Sequence, residues 1–444
     1  MPPHKYAGSR SFSFLGDELT SIPDTFTDIE DDFEMQIPTS NTVTDNYDAP
    51  LEFLYTGTSE LYAVPCNSYV HVIGQIKKRN GDDIDADDAV GPVNLLAQAL
   101  FGQADVYLNE QPVSKNNGQY AQRAYISTVV GTSSEAKQSW LESELYYEDT
   151  PGDSFDTYTV MPTINIGFIN RHAYSSESKK IDMVFRPHVD MFMQSRPIPP
   201  NVDLKLRFAR NSAEYFLMGD GTADFIFKIL SASLYMRVVR LNTTVMLSHK
   251  ESLLHNGKMV YPIRRVQMVT FTLPLQVLNH VRPNVVQGQL PNRIIMCMTT
   301  NKAFSGDYKH SPFRYRPFGL KKVCLNVNGK SHPSRPYVLN FDSASKQGLE
   351  YARCFKALTT VQGPNYVQGG NGIKRAMFED GFTMFAFPIT EEYSNETMSL
   401  VREGTIQLEM EFSKPLTEAV NVILHVEYEN VVTIGKHGDV SLDY

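Results

Sequence analysis

Two stretches of the sequence carry the same pattern: residues 101–114 read FGQADVYLNEQPVS and residues 318–331 read FGLKKVCLNVNGKS. Six identical residues occupy matching positions, each pair separated by 217 positions in a chain of 444 residues. Each stretch leads into a segment with helical periodicity that begins with a Tyr-Ala pair, at Tyr120-Ala121 and at Tyr351-Ala352. Because both the order and the spacing recur, the sequence indicates an internal duplication.

Alternation of apolar and polar residues with a period of two dominates the chain after residue 48. It is clearest in 202–208, 406–412 and 420–428, where only Ile423 breaks the pattern. This alternation predicts strands that bury one face. Shorter runs of the same kind lie at 51–55, 68–76, 104–108, 225–239, 265–273, 293–299 and 322–327.

Helical patterns are few, at 93–101, at 118–147 with breaks, and at 346–358. Many short strands with few helices predict antiparallel sandwiches rather than a parallel sheet with crossover helices. A composition of 42 % hydrophobic and 20 % charged residues, with no long biased run, excludes disordered, collagen-like and coiled-coil chains.

The strand order recurs as well. A short amphipathic strand precedes a longer β-branched strand at 202–208 and 225–239, and again at 405–412 and 419–432. Together with the duplication, this predicts two tandem β-sandwich domains that divide near residue 241. The predicted domains are 49–241 and 242–444, preceded by an N-terminal arm, 1–48.

The net charge of −9 is concentrated near the N-terminus. Between Ser11 and Ile76 there are twelve acidic residues and no Lys or Arg. Residues 1–48 also lack sustained periodicity, which predicts an extended or partly disordered acidic arm. Two roles stay open for it, a solubilising tail or an arm that pairs with a neighbouring subunit or a basic inner surface.

Seven segments, in order, carry a resemblance to a known family. They are 49–62 (APLEFLYTGTSELY), 101–114, 144–152 (ELYYEDTPG), 261–274 (YPIRRVQMVTFTLP), 288–296 (GQLPNRIIM), 328–337 (NGKSHPSRPY) and 420–434 (VNVILHVEYENVVTI). The chain resembles, from about residue 15 to its end, the hexon-type major capsid protein of Polinton (Maverick) elements and adintovirus-like double-stranded DNA viruses. The long acidic start departs from the family's pattern.

The resemblance implies an all-β fold of two tandem eight-stranded jelly rolls, a double jelly roll with a few short helices in its loops. It implies a hexon-like homotrimer that tiles an icosahedral viral shell, with penton and minor capsid proteins as further partners. It also implies a virion location, after assembly inside the host cell.

Candidate chemical motifs are weak. His188 and Asp190 stand two residues apart and would share one side of a strand, where an imidazole beside a carboxylate could act as a base or hold a metal. No third ligand accompanies them, so a structural or surface pair is favoured. The run 328–331, Asn-Gly-Lys-Ser, resembles the end of a phosphate-binding loop, but Cys324 stands where that pattern needs Gly. A polar turn is therefore predicted.

Other binding functions find equally little support. The four cysteines, Cys66, Cys297, Cys324 and Cys354, are widely spaced, which predicts buried apolar residues rather than a metal site or a disulfide framework. No run approaches the roughly 18–20 apolar residues that a membrane helix needs. Basic clusters are dispersed, which does not predict a sequence-specific nucleic-acid groove; they lie at 77–79, 179–180, 264–265 and 321–322.

Three hypotheses of function follow. The first is a structural capsid protein, with no catalytic, cofactor-binding or metal-binding residues. The second is a β-sandwich recognition module that binds carbohydrate through a surface row of aromatic residues. The third is a β-rich enzyme that uses His188 and Asp190. The sequence favours the first.

Overall fold

The computed structural model describes residues 28–41, 49–86, 88–114, 118–159, 164–221, 224–342, 349–360, 370–390 and 398–443. The strands of the first half are β1 (Ile29–Pro38), β2 (Leu51–Tyr55), β3 (Leu61–Ala63), β4 (Tyr69–Lys78), β5 (Val90–Pro92), β6 (Phe101–Leu108), β7 (Gln111–Pro112), β8 (Ile181–Phe185), β9 (Leu204–Arg210), β10 (Leu217–Gly219) and β11 (Phe225–Leu241). Those of the second half are β12 (Lys258–Leu273), β13 (Asn279–Gln289), β14 (Arg293–Thr300), β15 (Leu320–Val327), β16 (Lys330–Val338), β17 (Met384–Pro388), β18 (Glu403–Phe412), β19 (Val420–Gly435) and β20 (Val440–Leu442).

Short helices occupy the connections between strands. The α-helices are α1 (Leu96–Ala99), α2 (Tyr120–Gly131), α3 (Ser134–Lys137), α4 (Ile166–Ser175), α5 (Ala213–Phe216), α6 (Thr243–Asn256), α7 (Asn301–Ser305), α8 (Ala352–Thr360) and α9 (Arg375–Glu379). Single 3-10 turns lie at Pro65–Asn67, Trp140–Glu144, Gly152–Asp156, Ser176–Ser178 and Asp190–Phe192. Within the described residues, no helix is both long and apolar enough to cross a membrane.

The two halves have the same strand order. In the first half, one sheet runs β1-β11-β4-β8 and the other runs β2-β9-β6-β7. In the second half, the sheets run β12-β19-β14-β17 and β13-β18-β15-β16. If the eight main strands of each half are numbered along the chain, both halves have sheets of order 1-8-3-6 and 2-7-4-5, which is the jelly-roll topology. The predicted double jelly-roll fold is confirmed.

The repeat that revealed the duplication is real but shifted by two residues. Asn109-Glu110 turns the chain between β6 and β7, and Asn328-Gly329 turns it between β15 and β16. All four residues have positive φ, as two-residue hairpin turns require. The turns are therefore 219 residues apart, not 217. Because strand side chains alternate with a period of two, a shift of two keeps the same face toward the core, and the sequence pattern still matches.

Part of the predicted N-terminal arm forms a strand of the first sandwich. β1 pairs antiparallel with β11 along its length. Ile37 is buried, and Phe33 and Met35 pack against the same core. These alternate apolar residues are interleaved with acidic ones, such as Asp32 and Glu34, which form ion pairs with Arg237 on β11. Because acidic residues are so frequent in this segment, the alternation of apolar residues was not recognised from the sequence.

The domain boundaries themselves stay predictions. Residues 1–27 and 42–48 of the arm lie outside the described residues. β11 ends at Leu241 and α6 then leads into β12. We propose that the first jelly roll begins at Ile29 rather than at residue 49.

Candidate functional site

Helix α2 lies between the two sandwiches, and its surroundings form what we call the seam: the contacts between residues 28–241 and residues 258–443. Ten of the twelve residues of α2 are buried. Its sequence, YAQRAYISTVVG, places apolar residues on every side of the helix, and a helix that is apolar all round is buried all round. One side of α2 packs on its own sandwich, and the other side contacts the second half of the chain.

Aromatic rings fill the centre of the seam. The ring of Tyr125 in α2 stacks on Phe313, with centroids 4.2 Å apart and planes 10° apart. Tyr315 meets Tyr125 edge-on at 6.0 Å, and Tyr215 meets Phe313 edge-on at 6.2 Å. Stacked and edge-to-face pairs of this kind add to the stabilisation that burial alone provides.

One buried amide links the halves by hydrogen bonds. The Gln122 side chain donates to the backbone oxygen of Pro312 and to the hydroxyl of Tyr215, both at 3.0 Å. Its oxygen accepts a bond of 2.6 Å from the Tyr315 hydroxyl. The bonds to Pro312 and Tyr315 cross the seam, whereas the bond to Tyr215 lies within the first half. Because these polar groups are paired, they are buried at little cost, and the two crossing bonds fix the relative position of the two halves.

A nearly buried guanidinium forms a second link. Arg314 lies in the loop before β15 and pairs with Asp380 in its own half at 2.6 Å. It also reaches Asp156 of the first half at 2.7 Å and Asp153 at 3.4 Å. Asp156 in turn accepts a hydrogen bond from the Ser311 backbone N–H, at 2.9 Å. Removal of Arg314 would leave two carboxylates without a cation.

The structure places His188 and Asp190 in this seam, but not as predicted. They do not lie on a strand: β8 ends at Phe185, and Asp190 begins a 3-10 turn. Pro187 intervenes, and proline cannot continue the hydrogen-bond ladder of a strand. The buried Asp190 carboxylate instead pairs with Arg123 of α2 at 2.6 Å and accepts a 3.3 Å bond from the Val266 backbone N–H on β12.

The imidazole of His188 faces α2, with Nε2 3.1 Å from the Thr128 hydroxyl. A second buried histidine, His425 on β19, places Nε2 3.0 Å from the Ser127 hydroxyl across the seam. Burial, with a contribution from nearby arginines, lowers the pKa of His188 to about 3. Burial likewise lowers the pKa of His425 to about 4, although Glu427 opposes the shift. Both rings are neutral at pH 7 and serve as hydrogen-bonding groups.

A buried lysine completes the seam. The Lys137 ammonium in α3 donates to the backbone oxygens of Val129, at 2.6 Å, and of Asn371 in the second half, at 2.5 Å. Burial lowers the pKa of Lys137 to about 8, while the carboxylate of Glu148 acts in the opposite direction. The lysine therefore ties α3 to the loop that precedes α9.

The remaining motifs have structural roles. Asn328-Gly329 forms the predicted polar turn, and residues 330–331 begin β16. No group of three or more His, Cys, Asp or Glu in the described ranges is arranged to hold a metal ion. Cys297, Cys324 and Cys354 are buried and free, as predicted, whereas Cys66 is half-buried.

Several residues of the dispersed basic clusters form ion pairs with acidic neighbours. Lys77 and Lys78, at the end of β4, lie within 3.0 Å of carboxylates in the loop that follows. Lys321 pairs with Glu411 at 2.7 Å.

Sequence reasoning missed most of the seam. Gln122, Tyr125 and Lys137 meet partners almost 200 or more positions away in the chain, and periodicity carries no information about such pairs. One signal was available: the break in alternation at Ile423. Ile423 shares a strand face with His425, two residues on, and this face meets the first sandwich.

The fold and the seam define a double jelly roll whose sandwiches are joined through a buried helix. No family model matches the chain. An uncharacterized protein of Caenorhabditis elegans, F54H12.2, is 22 % identical over 401 residues, covering 87 % of this chain and 91 % of the relative.

Solved structures with a similar fold include viral capsid proteins. The Sputnik virophage structure matches with a TM-score of 0.64 at 10 % identity, covering 100 % of this chain and 93 % of that one. The mavirus major capsid protein matches with a TM-score of 0.54 at 10 % identity, covering 100 % and 96 %. The Faustovirus major capsid protein matches with a TM-score of 0.55 at 8 % identity, covering 93 % of each chain. These likenesses concern the fold.

Proposed function

We propose that this protein is a structural capsid protein that forms homotrimers, which tile an icosahedral shell. The observation that carries the proposal is the double jelly roll itself, in which one chain holds two sandwiches of the same strand order. Proteins with this fold over almost their whole length include the major capsid proteins of mavirus and Faustovirus.

The seam supplies the physical basis for such a building block. Three copies of a chain with two similar sandwiches present six similar edges around a ring, and closed rings of this kind pack in hexagonal arrays. Such packing requires that the two sandwiches of one chain keep a fixed relative position. The buried contacts of Gln122, Arg314 and Asp190 provide that rigidity.

The proposal extends to location and partners. The protein resides in the virion capsid after assembly inside the host cell, contacts penton and minor capsid proteins, and performs no enzymatic reaction. An origin in a Polinton element or an adintovirus-like virus belongs to the same proposal. His188 and Asp190 support a structural role, because both are engaged in buried hydrogen bonds or ion pairs within the seam.

Size-exclusion chromatography with light scattering tests the proposal directly. The chain has a mass of 50.2 kDa, so a trimer is expected at about 150 kDa, three times that value. Negative-stain images should then contain hexagonal particles. A monomer at every concentration, without capsid-like assemblies, would contradict the proposal.

One observation favours the carbohydrate-binding alternative. Tyr69 and Tyr235 stack at 5.1 Å on the half-buried outer face of the first sandwich, beside His71. Aromatic rings on a sheet face can bind sugar rings. Binding on a glycan array that is lost in the Tyr235→Ala variant would support this alternative, whereas trimers without glycan binding support the capsid role.

A further inference from the structure

Helix α6, which connects the two halves of the chain, contains no buried residue. It is 14 residues long, and a helix of this length is only marginally stable in water unless one face packs against other elements. One face of α6 does pack, because Val245 and Met246 contact a small apolar cluster formed by Tyr62, Val239 and Leu241. Both side chains stay half-buried in this contact. The first sandwich therefore supplies only part of the packing that stabilises such a helix.

The opposite face of α6 carries two exposed leucines. Leu247 is 55 % exposed and Leu254 is 72 % exposed. They are seven positions apart, so they lie on the same side of the helix, about two turns from each other. Lys250 and Glu251 lie between them on this side and are also exposed. We call these four residues the outer stripe. Two aligned leucines on a helix that is otherwise poorly packed indicate a surface that another segment covers.

The described part of the chain begins beside this helix. β1 pairs antiparallel with β11, and the first pair of residues is Ile29 with Leu241, the last residue of β11. The backbone N–H of Asn242, the N-cap of α6, then donates to the Asp28 oxygen at 2.9 Å. Because the pairing is antiparallel, the chain enters β1 at the same point where it leaves β11 for α6. Residues that precede Asp28 are therefore attached at the N-terminus of α6.

The sequence before Asp28 has a composition that fits the outer stripe. Residues 11–27 read SFSFLGDELTSIPDTFT. Six of these 17 residues are large and apolar: Phe12, Phe14, Leu15, Leu19, Ile22 and Phe26. The segment also contains Asp17, Glu18 and Asp24, but no Lys or Arg. Lys250, between the two exposed leucines, offers a cation to these carboxylates.

The length of this segment is sufficient to follow the whole helix. α6 is about 21 Å long, at 1.5 Å for each of its 14 residues. Seventeen residues can span about 56 Å when extended. Attachment at Asp28 also gives the segment a high effective concentration at α6, so even a small apolar contact is enough to hold it there.

We propose that residues 11–27 bind along the outer stripe of α6 in the same chain, with apolar side chains on Leu247 and Leu254. The contact gives the acidic start of the chain a third role, beside a solubilising tail and an arm that pairs with a neighbouring subunit. It completes the packing of the helix that connects the two sandwiches. Because the contact lies within one chain, it does not depend on the proposed trimer.

Hydrogen exchange measured by mass spectrometry tests the contact. The full-length protein is compared with a variant that lacks residues 1–27 and with full-length Leu254→Glu. Amides of 243–256 should exchange at least about 10-fold faster in both, because the leucine burial that opposes opening of the helix is lost. Peptides from β14 and β19 should keep the wild-type rate, which shows that the variants are folded.

Leu275→Glu is the matched control for the substitution. Leu275 is 60 % exposed and lies in the loop between β12 and β13, away from α6 in the chain. The same change from leucine to glutamate at this position should leave the exchange of 243–256 at the wild-type rate. Faster exchange of α6 in Leu275→Glu, equal to that in Leu254→Glu, would overturn the assignment of the contact to the outer stripe.

A synthetic peptide of residues 11–27 provides a second measurement. Added to the protein that lacks residues 1–27, the peptide should restore slow exchange of 243–256. Its dissociation constant should rise at least about 10-fold when the truncated protein also carries Leu254→Glu. A peptide with Leu15→Ser and Leu19→Ser is the control, and it should bind more weakly than the natural sequence.

The other possible occupants of the outer stripe give different results. Equal exchange of α6 with and without residues 1–27, at every protein concentration, overturns the proposal. Exchange of α6 that slows in the truncated protein as its concentration rises shows that a second copy covers the stripe, and also overturns it. Protection that is lost on truncation and in Leu254→Glu, and is restored by the peptide, supports it.

Mixed samples test whether the segment binds its own chain. Truncated chains are mixed with full-length Leu254→Glu chains, below the dissociation constant of the peptide. The two forms of α6 differ in mass, so their exchange is measured separately. Fast exchange in the truncated chains supports binding within one chain, and slow exchange there overturns it in favour of a neighbouring subunit. None of these results alters the test of the proposed trimer by light scattering.

Discussion

Helices α2 and α8 follow the same hairpin in the two halves of the chain but meet different surroundings. α2 is buried on nearly every side, because its own sandwich and the second sandwich both pack against it. α8 buries Cys354 and Leu358 but exposes Arg353 and Lys356. The two helices therefore have the same place in the topology but different patterns of buried and exposed residues. The difference depends on whether a second sandwich covers the helix.

The sheets show the same contrast. β4 of the first sandwich alternates between buried and half-buried residues, whereas most of β14, its counterpart, is buried throughout. A sheet covered on both faces loses polar alternation, and its strands become continuously apolar. The contrast indicates that the alternation of buried and half-buried residues in a strand depends on whether the seam covers its outer face, and not on the jelly-roll topology alone.

The largest effect is expected from breaking the aromatic stack in the seam. Tyr125→Ala removes a fully buried ring and should lower the free energy of unfolding by about 3–5 kcal/mol. Chemical denaturation followed by fluorescence or circular dichroism measures this loss.

Tyr125→Phe is the matched control. The Tyr125 hydroxyl is buried with no hydrogen-bond partner among the described residues, so removing it should be neutral or stabilising. A marked loss in the Phe variant would contradict this view of the stack.

A loss of about 3–4 kcal/mol is expected from Arg314→Met. The substitution keeps the aliphatic stem but leaves Asp156 and Asp380 without their cation in a largely buried site, and breaking a buried pair in this way is costly. Lys321→Met is the control, since it breaks an exposed pair with Glu411 on the second sandwich alone. Equal losses of unfolding free energy in Arg314→Met and Lys321→Met would show that burial in the seam does not make the Arg314 ion pairs more important for stability than an exposed pair.

The sequence predicted the features that depend on local periodicity. Strands β2, β4, β6 and β14 lie where alternation or apolar runs placed them, and the tandem repeat revealed the duplication. Those features follow from neighbours along the chain, since a strand with one buried face must alternate.

The seam could not be predicted in the same way, because its contacts join residues that are far apart in sequence. The pair Gln122 and Tyr315 is separated by 193 positions. The prediction of a strand at His188 and Asp190 was wrong for a local reason. Pro187 cannot donate a backbone hydrogen bond, so the strand hydrogen bonding ends just before these residues. The strand β1 was missed because its apolar residues alternate with carboxylates, a pattern that also resembles a disordered acidic tail.

Each of two buried histidines of the seam should contribute a smaller loss of stability in acid. The pKa of His188 is lowered to about 3 and that of His425 to about 4, against 6.5 for an ordinary histidine. Below pH 6.5 the unfolded chain therefore binds protons that the folded chain does not, and stability falls as the pH decreases. At pH 5 each histidine should account for about 2 kcal/mol of this loss.

The double variant His188→Gln and His425→Gln should flatten the dependence of stability on pH between 6.5 and 5. Denaturation midpoints across that range measure the slope. The control His255→Gln, at an exposed position on α6, should leave the slope of the wild type unchanged. An unaltered slope in the double variant would exclude these two histidines as the source of acid sensitivity.

The smallest effect is expected at alkaline pH, from Lys137. Burial lowers its pKa from 10.5 to about 8, so between these values the unfolded chain binds more protons than the folded chain. Stability should consequently rise with pH in this window, by about 1–2 kcal/mol between pH 7.5 and 9.5. Lys137→Met should lack this rise, and the difference between the two proteins isolates the lysine from tyrosines that ionise at higher pH. Parallel curves for the wild type and Lys137→Met would mean that Lys137 is hydrated, and that its link between α3 and the second sandwich is open to solvent.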